Sequence, residues 1–152
     1  MNAATGISTT GISTTGISNC TAAKVRRLSR RITQIYDEAL APHALTIGQM
    51  GLLASLRRRD GIGVGALAEH LSADASTVSR LLKPLFAAGL IAIASDPTDR
   101  RAKHVRLTDA GHARRAAAGT AWAAAQARVQ ETLGEGRLAA LRFIVDDAHA
   151  LL

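Results

Sequence analysis

The run from Val64 to Gly111 reads V-G-A-L-A-E-H-L-S-A-D-A-S-T-V-S-R-L-L-K-P-L-F-A-A-G-L-I-A-I-A-S-D-P-T-D-R-R-A-K-H-V-R-L-T-D-A-G. Val64, Leu67, Ala68 and Leu71 recur at the spacing that lines one face of a short helix. Ser72 to Asp74 then supply turn and cap residues, and the helical period resumes at Ala75 with Val78, Leu81, Leu82, Leu85 and Phe86 on its apolar side. The opposite side carries Ser76, Ser79, Arg80 and Lys83, a narrow polar and cationic strip. Leu90 to Ala94 is a short β-type run, Ser95 to Arg101 is turn-rich and charged, and His104 to Leu107 alternates like a returning strand. The stretch predicts two helices followed by a hairpin: a helix-turn-helix with a wing. Pro84 falls inside the second helix, where five apolar positions outweigh it and a bend near Arg80 is expected.

Composition agrees with a polyanionic partner. The chain has 152 residues, 47% of them hydrophobic, which suits one domain with a core of its own. Lys plus Arg number 19 against 12 for Asp plus Glu, a net charge of +7. That surplus favours nucleic acid before membrane, since each phosphate neutralised releases counterions. No apolar run approaches the roughly 18 residues of a membrane span and no leader pattern opens the chain, so a cytoplasmic protein is expected. The single cysteine makes no intramolecular disulfide, and no zinc-ligand spacing occurs. No acid, base and nucleophile set converges at motif spacing, and neither enzymatic activity nor a cofactor is expected.

The ordered set L-T-I-G-Q (Leu45 to Gln49), L-A-E-H-L (Leu67 to Leu71), S-T-V-S-R-L (Ser76 to Leu81), G-L-I (Gly89 to Ile91), D-P-T-D-R-R (Asp96 to Arg101) and L-T-D-A-G (Leu107 to Gly111) resembles the MarR-type (multiple antibiotic resistance regulator) winged-helix transcription factors. The likeness runs from about Thr21 to the C-terminus. It implies a mainly α fold with a small β-hairpin wing, and a homodimer joined through N- and C-terminal dimerisation helices. The implied function is a repressor on a palindromic operator in double-stranded DNA. Carried over position by position, Ser76, Thr77, Ser79 and Arg80 would face the major groove and Lys83 a phosphate. Arg101 matches the wing arginine placed in the minor groove and Asp99 the acid that positions it, with Arg100, Lys103 and His104 as backbone contacts. A winged-helix module that docks on protein through the same helix face is the alternative.

The rest of the chain fits this plan. Residues 1–20 contain the repeat G-I-S-T-T-G-I-S-T-T-G-I-S, too short and polar for a solenoid, and are expected to form a disordered or loosely docked tail. Residues 21–152 are expected as a single winged-helix domain, with a DNA-binding lobe at 44–108 and dimerisation helices at 21–43 and 109–152. Val25, Leu28, Ile32, Ile35, Tyr36 and Ala39 predict the buried stripe of a first helix that Pro42 ends, with Arg26, Arg27, Arg30 and Arg31 on its other side. Thr46 caps a second helix with Ile47, Met50, Leu53, Ala54 and Leu56 as core. Gly61, Gly63 and Gly65 read as a flexible link. Thr108 caps a long alanine-dense helix to about Leu133, Gly134 breaks it, and Leu138, Leu141, Ile144, Val145, Ala148 and Leu151 or Leu152 define a last one.

Two switches stay open. Cys20 lies near a helix start and several arginines, a setting that favours thiolate, and one branch of the family senses hydroperoxides through such a cysteine. The other is a small aromatic or amphipathic organic acid, expected from the resemblance in a region lined by Tyr36, His43, Met50 and Leu53, with Arg27 or Arg57 supplying charge.

Overall fold

A computed structural model describes residues 19–56, 61–95 and 103–152. The elements in order are α1 (Thr21–Leu40), a 310 turn (Ala41–His43), α2 (Ile47–Ser55), β1 (Ile62–Gly63), α3 (Val64–His70), α4 (Ala75–Ala87), β2 (Ile91–Ser95), β3 (Lys103–Leu107), α5 (Asp109–Leu133) and α6 (Glu135–Leu151). The fold is mainly helical with a small antiparallel sheet in the order β1-β3-β2, a winged helix-turn-helix. The chain divides into two compact units, 1–33 and 34–152, with α1 running through the boundary. Of the expected tail only Asn19 and Cys20 lie among the described residues.

Local chemistry fixes the helix ends. Thr46 makes a full capping box with Gln49: its hydroxyl accepts the Gln49 N–H at 3.3 Å, and the Gln49 side chain accepts the Thr46 N–H at 2.9 Å. Asp74 caps α4 and Thr108 caps α5, whose first turn also carries Asp109 at the positive end of the helix dipole. Pro42 falls in the 310 turn after α1, and Gly134, at φ 76°, separates α5 from α6. α4 runs through Pro84 as one helix to Ala87.

The core of the second unit is built where these elements meet. Leu40, Leu45, Leu52, Leu53, Leu56, Leu67, Val78, Leu85, Val105 and Leu107 are buried in one cluster that reaches Ala118 of α5. In the wing, Val105 and Leu107 face the core and Arg106 between them faces solvent, the alternation of a half-buried strand, while Lys103 is exposed where the strand begins. β2 pairs with β3 from Ile91 opposite Leu107 to Ser95 opposite Lys103.

Several expected core positions are not buried. Val25 and Leu28 on α1 are exposed, as are Phe86 on α4 and Ile144, Val145, Leu151 and Leu152 at the end of the chain; of α6 only Leu138 is buried. Helical spacing identifies an apolar face, and these faces find no cover within the described chain. Ala54 is exposed and Leu52, not expected in the core, is fully buried. The glycine link is partly a strand: Ile62 and Gly63 pair with Val105 and His104. Gly61 is required there, because a Cβ would sit 2.9 Å from that of His104.

The junction between wing and α5 is tight. The Thr108 hydroxyl donates to Gly89 O at 2.7 Å and accepts the Gly111 N–H at 3.0 Å, while the Thr108 N–H reaches Leu90 O at 3.1 Å. A Cβ on Gly111 would stand 1.9 Å from Leu90 O. Among the described residues no helix is long and apolar enough to cross a membrane.

Candidate nucleic-acid interface

α4 projects the polar strip expected from its sequence. Ser76, Ser79, Arg80 and Lys83 are exposed and Thr77 is half-buried, while Val78, Leu82 and Leu85 hold the opposite side in the core. The start of the strip is already organised. The Asp74 carboxylate accepts the Thr77 N–H and the Thr77 hydroxyl, both at 2.8 Å, as well as the Ser76 hydroxyl. These donors stabilise the ionised form and hold the Asp74 carboxyl far below the usual carboxylate range. Arg80 Nη2 in turn donates to the Thr77 hydroxyl at 3.2 Å. Ser79 and Lys83 lie farther along the same strip.

Lys103 opens β3 and is exposed, beside half-buried His104. Asp99, Arg100 and Arg101, the expected wing contacts, lie outside the described residues. Between α4 and the strands lies a cleft of about 590 Å³. Val64, Leu82, Phe86 and Ile93 give it apolar walls, and Ser79, Lys83 and Lys103 also line it. Phe86, expected in the core, thus presents 54% of its surface beside two lysines.

The residues expected to hold an effector are scattered in their roles. Leu53 is fully buried in the core, Met50 packs partly buried against it, and His43 is half-buried in the 310 turn. The Tyr36 hydroxyl donates to Gln126 Oε1 at 2.6 Å, and burial raises its pKa despite the opposing Arg142 charge. Arg27 is exposed on the part of α1 that belongs to the first unit, and Arg57 lies outside the described residues. Cys20 is exposed just before α1, and its carbonyl accepts the Lys24 N–H at 3.1 Å.

Sequence reading passed over two residues. Arg114 Nη1 donates to His43 O at 2.9 Å, and Arg115 Nη1 donates to Leu53 O at 2.9 Å and Leu56 O at 3.3 Å. The available signal was a pair of adjacent arginines in the early turns of a helix otherwise rich in alanine.

Comparison with known proteins agrees with the geometry. The family model described as MarR family matches residues 45–103, from the residue before the α2 cap to the first residue of β3. The HTH-type transcriptional regulator TtmR of Methylorubrum extorquens (strain PA1) is 37% identical over 76 residues, half of this chain. That match spans 39% of the length of TtmR. Among solved structures, the M. tuberculosis transcriptional regulator MosR in complex with DNA is 30% identical with a TM-score of 0.74, covering 88% of this chain and 96% of that one. The transcriptional repressor CouR, bound to a 23-mer DNA duplex, is 26% identical with a TM-score of 0.76, covering 88% of this chain and 94% of that one. These relatives are transcriptional regulators and not enzymes. Ordered motifs, winged-helix topology, an exposed cationic helix and these matches together place the chain in the MarR family.

Proposed function

We propose that the protein is a homodimeric, sequence-specific DNA-binding repressor that reads a palindromic operator through α4. The exposed strip of Ser79, Arg80 and Lys83, with the wing's Lys103 alongside, carries this reading. An Arg on such a helix suits the O6 and N7 acceptors of guanine, and lysines at the flanks suit phosphates. Asp99, Arg100 and Arg101 belong to the same interface by the family pattern, with Arg101 entering the minor groove. Ser76 and Thr77, whose hydroxyl protons go to Asp74, serve as organisers of the strip and accept from DNA only through their remaining lone pairs.

Enriching duplexes from a random pool and measuring affinity against salt tests the reading. The expected result is a two-fold symmetric consensus whose log K falls linearly with log salt. A protein-docking module would enrich no sequence.

Release by a small amphipathic organic acid is part of the proposal, and the cleft beside α4 supports it. Apolar walls with Lys83 and Lys103 suit a carboxylate on a flat hydrophobic body, which would occupy the cations that DNA phosphates require. Salicylate should then bind free protein more tightly than the DNA complex, and equal affinity for both rules this route out. The thiol alternative rests on the exposure of Cys20. It requires Cys20→Ser to stay on DNA after a hydroperoxide dose that releases the wild type.

A further inference from the structure

We propose that Arg114 and Arg115 are positioning residues that lock the DNA-reading helix to the long helix α5, and so set the half-site spacing the dimer accepts. The inference rests on the reading of α4 as the DNA-contacting helix of a dimer. α2 is the strut between the two. On one side it packs against α4, where Gly48 comes so close that a Cβ would lie 3.2 Å from Leu81 Cδ2. On the other it packs against α5.

The adjacent arginines grip this strut at both ends. Arg114 takes the His43 carbonyl in the turn that leads into α2, and Arg115 takes the Leu53 and Leu56 carbonyls at its C-terminal end. Neighbouring residues on a helix point about 100° apart, which lets one short segment of α5 reach both ends of a nine-residue helix. The last carbonyls of a helix have no partner within it and carry the negative end of its dipole, so a guanidinium there is a favoured, charge-assisted cap. Arg115 gives both bonds from one nitrogen, Nη1, so a neutral glutamine, shorter and without the charge that favours this end of the helix, does not replace it.

The consequence follows from connectivity. The reading lobe meets α5 at the Thr108 junction, where Thr108 binds Gly89 and Leu90, and a single attachment of that kind leaves a hinge. The second attachment is α2 on α5, where apolar packing reaches Ala118 and the arginine grip, to residues 59 to 71 positions away in sequence, adds the directional bonds. With both in place α4 is fixed against α5, and in a dimer the two reading helices keep one separation. With the grip removed α2 is held on α5 by non-directional apolar packing alone, the angle of the lobe about Thr108 is less sharply set, and the dimer accommodates several spacings.

The test uses the full chain. Duplexes enriched by wild-type protein are remade with the half-sites moved one base pair closer or farther. Wild type should lose about tenfold or more in affinity per step, since simultaneous engagement depends on geometry. Arg114→Ala/Arg115→Ala should stay within about threefold over the same series while keeping its preferred half-site bases. A variant that weakens equally at every spacing, keeping the wild-type discrimination, shows a structural role only and overturns the proposal. A second readout needs no DNA: spin labels at Ala87→Cys in α4 and Gln130→Cys in α5, in a Cys20→Ser background diluted into unlabelled protein. The distance distribution should broaden in the double variant; an unchanged width overturns the proposal. If the double alanine variant does not fold, Arg115→Gln carries both measurements with the same expected directions. Failure of the wild type to enrich any duplex counts against the DNA-reading conclusion, while the label distances still decide the arginine grip.

Discussion

At the scale of single residues, glycines and caps decide what the fold tolerates. Gly111 has the Leu90 carbonyl in the space a side chain would take, 1.9 Å from an added Cβ, and that carbonyl already accepts the Thr108 N–H. Gly111→Ala must therefore push apart the junction between wing and α5, a loss on the order of 3 kcal/mol by overpacking. Gly119, on the same helix, has nothing within 4 Å of its added Cβ. Gly119→Ala should stabilise the chain by about 0.5–1 kcal/mol, because alanine surrenders less backbone freedom than glycine in a helix. Thermal unfolding of the pair gives opposite signs if the junction is as close as described. Asp74 makes a prediction in pH. Its carboxyl is held below its ordinary value by the Ser76 and Thr77 donors. A depressed folded-state pKa adds stability that is fully present above the unfolded value near 4 and is lost as pH falls through the lower folded value. The stability gap between wild type and Asp74→Ala should hold from neutral pH to about pH 5 and narrow below about pH 4. Denaturant unfolding across that range checks it.

At the scale of elements, α4 is where structure and function meet, and its two cations should fail differently. Arg80→Ala should relax base preference at one position of each half-site at a cost of roughly 1–3 kcal/mol. Lys83→Ala should weaken all sequences alike and reduce the salt slope by about one phosphate per subunit. Gel-shift titrations at several salt concentrations separate the two. This element was legible because its faces differ so sharply in chemistry: Val78, Leu82 and Leu85 against Ser79, Arg80 and Lys83. Phe86 was misplaced because the spacing fits the stripe, yet the residue lies where the stripe meets the wing cleft. α2 hid Leu52 for another reason, since I-G-Q-M-G-L-L-A-S is apolar nearly all round and periodicity cannot choose an inward side. β1 left no local trace. Two residues form a strand only because β3 returns beside them, Val105 against Ile62 and His104 against Gly63, and long-range pairing is invisible to a sliding pattern. The arginine grip on α2 was hidden likewise, because its acceptors are backbone carbonyls with no sequence of their own.

At the scale of the whole molecule, the exposed apolar residues are the surface the proposed dimer would use. Phe143, Ile144 and Val145 are 71%, 61% and 54% exposed, and consecutive residues 100° apart give α6 a wide apolar face with only Leu138 buried. Trp122 on α5 is exposed as well. An isolated helix of this length is marginal in water, and most helical stability comes from packing of an apolar face. Clustered exposure of this kind marks an interaction surface, and the second copy of the proposed dimer would satisfy it symmetrically, each helix offering the other the same apolar patch. Burying such residues contributes about 25 cal/mol for each Å² removed from water, so a charge placed among them removes that gain and adds a desolvation cost. Ile144→Glu should therefore yield a monomer at micromolar concentration by sedimentation. Its unfolding midpoint should no longer rise with protein concentration, whereas that of the wild type should, because dimerisation stabilises the folded chain by mass action. The DNA consequence follows from the same loss. A monomer engages one half-site, and without the second engagement held at high effective concentration its affinity for the full operator should fall by about a hundredfold or more. Its base preference within the half-site, set by α4 alone, should be unchanged. A monomeric Ile144→Glu protein that kept full operator affinity would show that one wing and one reading helix suffice, and the palindromic dimer would have to be given up.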